Sequence, residues 1–131
     1  MPKAFRKVDD LECNKRLVLE NIYFKDDMAQ FDSRVRSLRS LASIARYLKE
    51  NIQYKIVLHG HTDIFGDPLK NLELSKQRVL TVKRSLISMD VRSSRIVILY
   101  HGGTQPLIQF RDGGEQNRRV EMEAVCDQKS S

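Results

Sequence analysis

Residues 56–66 read IVLHGHTDIFG, so an apolar run leads directly into two histidines, a threonine and an aspartate. His59, His61 and Asp63 alternate along this segment, and on an extended strand they point to one side. Such a row is able to hold a metal ion, with His101 as a fourth ligand. Zinc sites usually combine close ligand pairs, however, and the chain has neither a cysteine pair nor an HExxH motif. We therefore predict no metal site and no cofactor.

Nucleophilic catalysis also finds little support in the sequence. A serine or cysteine nucleophile needs a recognisable turn and an activating base. The chain has no GxSxG motif and no reactive-cysteine context, although Ser75 follows His61 and Asp63 at a short distance in sequence. We predict that the protein is not an enzyme and has no catalytic residues.

A binding pocket is the third interpretation of the segment. Asp63 follows a predicted strand, and Arg78 lies two turns into the next predicted helix. Asn71, Leu74 and Arg78 have helical spacing and share one helix face, which looks back toward the loop of Asp63. A carboxylate pairs with an ammonium group and the arginine fork binds a carboxylate, so the set suits a zwitterion. A structural ion pair between Asp63 and Arg78 explains the same residues equally well.

Six predicted elements position these side chains. Strands are expected at residues 16–24, 53–60, 95–100 and 117–125, and helices at residues 33–50 and 71–89. The order strand, helix, strand, helix, strand, strand predicts an α/β (α+β) fold. Its architecture is a two-layer sandwich with helices packed on a four-stranded mixed sheet, which the last strand joins as an antiparallel or mixed partner.

Periodicity also predicts which side chains form the core. In the first strand one face carries Val18, Ile22 and Phe24, and in the second Ile56 and Leu58. The first helix, capped by Asp32 or Ser33, buries Val35, Leu38, Leu41, Ala42, Ala45 and Leu48. The second helix buries Leu72, Val79, Val82, Leu86 and Met89. In the last strand the covered face carries Arg118, Val120, Met122 and Ala124, and the other face carries Arg119, Glu121 and Glu123.

Length and composition predict a single globular domain. The chain has 131 residues, 40% hydrophobic and 31% charged. We assign residues 16–126 to the domain, 1–15 to a poorly ordered N-terminal extension and 127–131 to a C-terminal tail. No apolar run approaches the ~20 residues of a spanning helix, and the first residues lack the apolar region of a secretory signal. Any membrane anchor is therefore expected to lie outside this chain.

Charge and cysteine content leave two questions open. The net charge of +6 indicates either an anionic partner or an ordinary solvated basic face, because the lysines and arginines are spread along the chain. Cys13 and Cys126 lie near the two ends of the sequence. They form either one disulfide or two free thiols.

One long motif makes the sequence recognisable. Residues 60–78, GHTDIFGDPLKNLELSKQR, followed by NRRVEM at residues 117–122, resemble the OmpA-like peptidoglycan-binding domain. The similarity runs from about residue 19 to residue 125. The resemblance implies a noncatalytic domain that holds the cell wall through the diaminopimelate residue of the stem peptide, with no nucleic-acid partner. It implies a periplasmic location attached to the outer membrane, or to the inner membrane for a stator-like protein, and it leaves a homodimer open.

The resemblance also assigns roles to individual residues. In the family, the aspartate of the HTD motif takes the amine of diaminopimelate and the arginine of LSxxR takes its carboxylate. These positions are Asp63 and Arg78 here. The matching supporting positions are Thr62, Asn71, Leu74 and Arg118. His61 is expected to orient or pack, and His59 to be an ordinary sheet residue.

Four departures from the family pattern concern the pocket rim and the glycan-side contacts. Lys25 stands where an aspartate is common, Tyr100 replaces the first glycine of the GxGxxxP turn, the stretch before NRRV is short, and Gly114 stands where an arginine is common. The departures at Lys25 and Tyr100 keep open an OmpA-like scaffold that has lost wall binding and mediates protein interaction. A separate alternative is a basic module that binds nucleic acid or another polyanion.

Overall fold

The computed structural model describes residues 3–5, 16–19, 22–25, 28–62, 66–105 and 119–125. The predicted ligands Asp63 and Arg118, both cysteines and Gly114 lie outside them. The strands are β1 (Lys3–Phe5), β2 (Arg16–Leu19), β3 (Lys55–Gly60), β4 (Ile96–Tyr100) and β5 (Val120–Val125). The helices are α1 (Arg34–Glu50) and α2 (Pro68–Ser88), and a 3-10 turn, Ser93–Arg95, precedes β4.

Within the described residues, five strands form one mixed sheet in the order β1-β2-β5-β3-β4. β3 and β4 are parallel, whereas β5 lies between β2 and β3 and is antiparallel to both. The predicted antiparallel entry of the last strand is confirmed, as are the two helices and the mixed sheet. The predicted count of four strands is wrong, because β1 pairs in parallel with β2. Three residues are too few to show an alternating pattern, so this strand had no sequence signal.

The core lies between the helices and one face of the sheet. The sheet side chains Ile56, Leu58 and Met122 are fully buried, and Leu41, Leu48, Val79 and Leu86 meet them from the helices. The predicted apolar faces of β3 and β5 are therefore confirmed. Burial of one such aliphatic side chain contributes about 1.5–3 kcal/mol. This apolar layer holds the helices against the sheet.

Two predicted apolar faces need correction. β2 ends at Leu19, so alternation does not run through residue 24, and Leu19 is buried together with Ile22 and Phe24. In α1 the helix face turns toward Ile44, while Val35 is 68% exposed and Ala42 is exposed. Val35 lies in the first turn of α1, and its apolar character alone did not determine its burial.

Capping residues set both helix starts. Ser33 accepts a hydrogen bond from the Arg36 amide at 3.3 Å, which confirms it as the N-cap of α1. α2 begins at Pro68, three residues before the predicted start, because Asp67 caps it by accepting from the Leu69 amide at 3.1 Å. Proline suits the first helical position, since its fixed φ is helical and its missing amide has no partner to lose there. Leu72 is 38% exposed, contrary to its predicted burial.

Candidate ligand-binding site

Four chain segments meet at one edge of the sheet. β3 and β4 are parallel, so their carboxyl ends share this edge, and β5 begins there because Gly60 pairs with Val120. α2 starts beside them. Three backbone hydrogen bonds join the segments: His61 N–H to Arg119 O (2.9 Å), Thr62 N–H to Gly102 O (2.8 Å) and His101 N–H to Gly60 O (3.0 Å). Thr62, Gly102 of the glycine turn and Arg119 of the NRRV motif are thereby held at the same edge.

Two glycines let α2 approach this edge closely. A Cβ on Gly60 would collide with the carbonyl oxygen of Ser75. Gly102 has a φ of +57°, and a Cβ there would lie 3.1 Å from the backbone nitrogen of Leu72. Only glycine combines the left-handed backbone with such close backbone contact at low cost.

Ser75 fastens the glycine turn to the helix. Its hydroxyl donates to Leu72 O at 2.7 Å and accepts from the Gly102 amide at 2.9 Å, and the residue is fully buried. A nucleophile needs an exposed oxygen hydrogen-bonded to a base. Ser75 instead has a structural position that its sequence neighbours did not reveal.

Two adjoining cavities lie at the start of α2. The larger has a volume of about 560 Å³ and is lined by Gly66, Asp67, Lys70, Asn71, Glu73, Leu74 and Gln77. The second, of about 320 Å³, is lined by Pro68, Leu69, Asn71, Leu72, His101, Gly103 and Thr104. Asn71 belongs to both linings, and Leu74 gives the larger cavity an apolar wall. The lining thus combines an amide, a cation and carboxylates with apolar surface.

Arg78 lies on α2, one turn after Leu74, and is fully buried. Its Nε donates to Met28 O at 2.9 Å, its Nη2 donates to Lys25 O at 3.2 Å, and its guanidinium carbon lies 5.3 Å from the centre of the Phe24 ring. These contacts fix the plane of the guanidinium. Because the side chain is fully buried, a ligand carboxylate reaches it only after a neighbouring group moves.

The described residues place the predicted ligands as follows. Asn71 and Leu74 come together at the larger cavity. Thr62 is buried at the joined strand ends, and Arg78 is buried against the segment that contains Lys25 and Met28. The predictions for Asp63 and Arg118 fall outside the described residues. Of the departures from the family pattern, Tyr100 is 38% exposed with the Lys76 ammonium 5.8 Å from its ring centre.

A buried charged cluster stands on the opposite face of the sheet at the same edge. Glu121 Oε1 lies 2.9 Å from His61 Nε2, and Glu121 Oε2 accepts from Arg119 Nε at 2.9 Å. All three residues are at most 3% exposed. Burial alone would raise the pKa of Glu121, but the hydrogen bond from His61 and the positive charges of His61 and Arg119 lower it to about 2.

This cluster was missed by the sequence analysis. Alternation correctly placed Arg119 and Glu121 on the same face, but that face was taken as uncovered, and its residues were not assigned to the site. The available signal was a row of histidines on one strand and of glutamates on another, which the antiparallel register brings opposite each other. His61, expected to orient or to pack, is fully buried with its Nε2 2.9 Å from Glu121 Oε1.

The remaining histidines bond to one another and to a second glutamate. His59 Nδ1 lies 2.9 Å from His101 Nε2, and His59 Nε2 lies 3.2 Å from Glu123 Oε1. The ring centre of His101 lies 5.2 Å from that of His59 and 5.0 Å from that of His61. Within the described ranges no group of three or more His, Cys, Asp or Glu side chains is arranged to hold a metal ion. Ring nitrogens that face each other serve as hydrogen-bond partners rather than converging ligands.

Comparison with known proteins gives the family. The model of the OmpA family matches residues 23–120. The chain belongs to the OmpA family. This OmpA-family chain is 32% identical over 103 residues to a peptidoglycan-associated lipoprotein of Mesorhizobium japonicum, with 77% of this chain and 60% of that protein covered. It is 31% identical over 106 residues to the protein of that name from Pseudomonas aeruginosa, covering 79% of this chain and 61% of the relative.

A solved structure supports the same fold. The peptidoglycan-associated lipoprotein of Burkholderia pseudomallei superposes with a TM-score of 0.70 at 28% identity, covering 79% of this chain and 87% of that one.

The OmpA-family chain spans about 60% of the length of each of the two curated relatives described above. Among its described residues, no helix has the length and apolar character needed to cross a membrane.

Proposed function

We propose that this OmpA-family domain binds peptidoglycan non-covalently, through the diaminopimelate residue of the stem peptide, and so anchors a cell-envelope protein to the wall. The observation that supports the proposal is the cavity that Asn71 and Leu74 line at the start of α2, on a fold shared with proteins named peptidoglycan-associated lipoproteins. The location that fits this role is the periplasm, with attachment to the outer membrane through a segment beyond this chain.

In the proposed complex, Asp63 pairs with the ammonium group of the zwitterion and Arg78 with its carboxylate. Thr62, Asn71 and Arg118 support them, and Leu74 provides the apolar wall. The positive charge of Arg78 is already oriented by the carbonyl groups of Met28 and Lys25. Preorganised charge of this kind costs less to use on binding than a mobile side chain does. For the ligand carboxylate to reach Arg78, the groups that cover the guanidinium must move.

The expected affinity of one site is low. A hydrogen bond to a charged group contributes about 1.5–3 kcal/mol net, and association costs several kcal/mol in lost freedom. Peptidoglycan presents many stem peptides on one polymer, so several domains held on one membrane surface bind it with high effective concentration. Anchoring is thus compatible with exchange at individual sites.

Co-sedimentation with purified sacculi tests the proposal. The wild-type domain is expected to pellet with sacculi and to be released by free diaminopimelate. Asp63→Ala and Arg78→Ala are each expected to weaken the pelleted fraction. Matched controls are Asp32→Ala and Arg39→Ala, which make the same charge changes at exposed positions.

The charge of the chain makes the aspartate variant decisive. The net charge is +6, and removal of a carboxylate makes the chain more basic. If the domain were a general polyanion binder, Asp63→Ala and Asp32→Ala would both bind sacculi at least as well as wild type, and binding would fall steeply with salt. If the wild type fails to sediment at all, the domain is a scaffold without wall binding and the proposal is wrong.

A further inference from the structure

The buried cluster of His61, Arg119 and Glu121 joins two strand ends through their side chains. Glu121 uses one carboxylate oxygen for His61, at the end of β3, and the other for Arg119, just before β5. The backbone joins the same two residues, since His61 N–H donates to Arg119 O at 2.9 Å. Side-chain and backbone contacts therefore lock one relative position of the two ends.

The neighbours of these two residues are the proposed ligands. Thr62 and Asp63 follow His61 in the chain, and Arg118 precedes Arg119. A displacement of either strand end moves the loop attached to it, and a misplacement of about 1 Å is enough to weaken a polar site substantially. The cluster is thus placed where it controls the separation of the two ligand-bearing segments.

The Glu121 carboxylate is the hydrogen-bond partner that His61 and Arg119 share. Both partners are buried: His61 is 0% and Arg119 is 3% exposed. Arg119 has a further bond from its Nη2 to Gln105 O at 2.7 Å, which brings the end of the glycine turn into the same network. Without the negative charge of Glu121, a buried guanidinium would lose its charged partner, which is costly in a low-dielectric interior.

We infer that Glu121 is a positioning residue for ligand binding, which acts by holding the His61 and Arg119 strand ends in the register that the site requires. The inference rests on the proposed function for its consequence, but not for its geometry. It assigns to this residue a role beyond fold stability, because the residues it holds stand next to the proposed ligands Thr62 and Arg118.

The test compares Glu121→Gln with Glu123→Gln. The second glutamate lies on the same face of β5 but bonds to His59 at 3.2 Å, one step further from the ligand segments. Amide hydrogen exchange of His61 and Thr62 is measured first, without any ligand. Loss of the carboxylate at Glu121 is expected to raise exchange at both amides by about tenfold through local opening, whereas the Glu123 variant leaves them unchanged.

Sacculus binding is measured next under conditions where both variants are folded. Glu121→Gln is expected to reduce apparent affinity by roughly tenfold, the lower end of the loss found when the hydrogen-bond partner of a metal-binding side chain is removed. Glu121→Asp, which retains the charge, is expected to restore part of it. Unchanged exchange at His61 and Thr62 overturns the inference, and so does wild-type binding by a variant with raised exchange. If wild type itself does not bind, the proposed function fails, and the exchange result still decides whether Glu121 holds the strand ends.

Discussion

Gly60 in β3 lies directly against the carbonyl oxygen of Ser75 in α2, with no room for a Cβ between them. Helix and strand therefore touch through their backbones at the level where the ligand loop begins. A contact of this type has little capacity to relax, because neither partner is the end of a flexible side chain.

Gly60→Ala is expected to destabilise the fold by about 2 kcal/mol through overpacking. Gly66→Ala serves as a comparison, because among the described residues a Cβ there meets only the Asn71 side chain at 3.9 Å, and the cost comes from its φ of +97°. That cost is about 1 kcal/mol. Urea unfolding followed by circular dichroism measures both; equal stability of wild type and Gly60→Ala would contradict the close contact.

The N-cap of α2 gives a second prediction. Asp67→Ala removes the acceptor for the Leu69 amide and is expected to cost about 1 kcal/mol. Asp67→Asn keeps an equivalent acceptor, so its midpoint of urea unfolding should match that of wild type. If the asparagine variant is as unstable as the alanine variant, the negative charge and not the cap is what stabilises the helix start.

Acid stability is expected to depend on Glu121. Its carboxylate faces His61 and Arg119, with the His101 ring stacked on His61, and its pKa is lowered from 4.5 to about 2. A lowered folded-state pKa stabilises the native state above pH 4.5, and this contribution is lost as pH falls from 4.5 toward 2. Unfolding at neutral pH should show Glu121→Gln less stable by about 3 kcal/mol.

The same variant should approach wild-type stability as the pH is lowered through that window. Glu123→Gln is the control, since that carboxylate is only half-buried and its partner is His59. A constant difference between wild type and Glu121→Gln from neutral pH to pH 2 would show that the charge of the carboxylate is not what stabilises the cluster.

Arg78 is expected to contribute to stability as well as to binding. Arg78→Ala removes the side-chain donor to Met28 O and one of two donors to Lys25 O, which still accepts from the Met28 amide, and should cost about 3 kcal/mol. Arg78→Lys keeps the charge but not the two-pronged geometry, and an intermediate loss is expected. Arg39→Ala, at an exposed position, should stay within about 0.5 kcal/mol of wild type. Thermal unfolding of the three variants ranks them directly.

Strong local patterns made the fold largely predictable. β5 alternates apolar and polar residues, β3 carries Ile56 and Leu58 on one face, and α2 repeats Val79, Val82 and Leu86 at helical spacing, so all three were found with nearly correct faces. The missed features depend on partners distant in the chain. β1 is defined by pairing with β2 alone, and the buried state of Glu121 depends on what covers its face. Sequence periodicity reports which residues share a face but not whether that face is solvated.

In the candidate site, too, local spacing was predictable and contacts with distant parts of the chain were not. Helical spacing brought Asn71 and Leu74 to one cavity, as expected. Spacing could not show that Arg78, on the same helix face, is covered by a segment far earlier in the chain, with which Thr81 also bonds through Ala29 O. Nor could it show that Ser75 holds the glycine turn, because that bond depends on the approach of β4 to α2.

The central place of β5 in the sheet has a consequence for the order of folding. Its register pairs Glu123 with Arg16 on one side and Ala124 with Ile56 on the other, positions far apart in the chain. Until Val120–Val125 has been synthesised, β2 and β3 have no common neighbour, so the β1-β2 pair and the β3-β4 pair are not joined into one sheet. Long loops must therefore close before these contacts can stabilise the chain, and the entropy lost in closing them slows folding. A nascent chain that stops short of Val120 is expected to stay exposed to proteases and chaperones. The domain therefore folds in one step, late in its synthesis, rather than strand by strand.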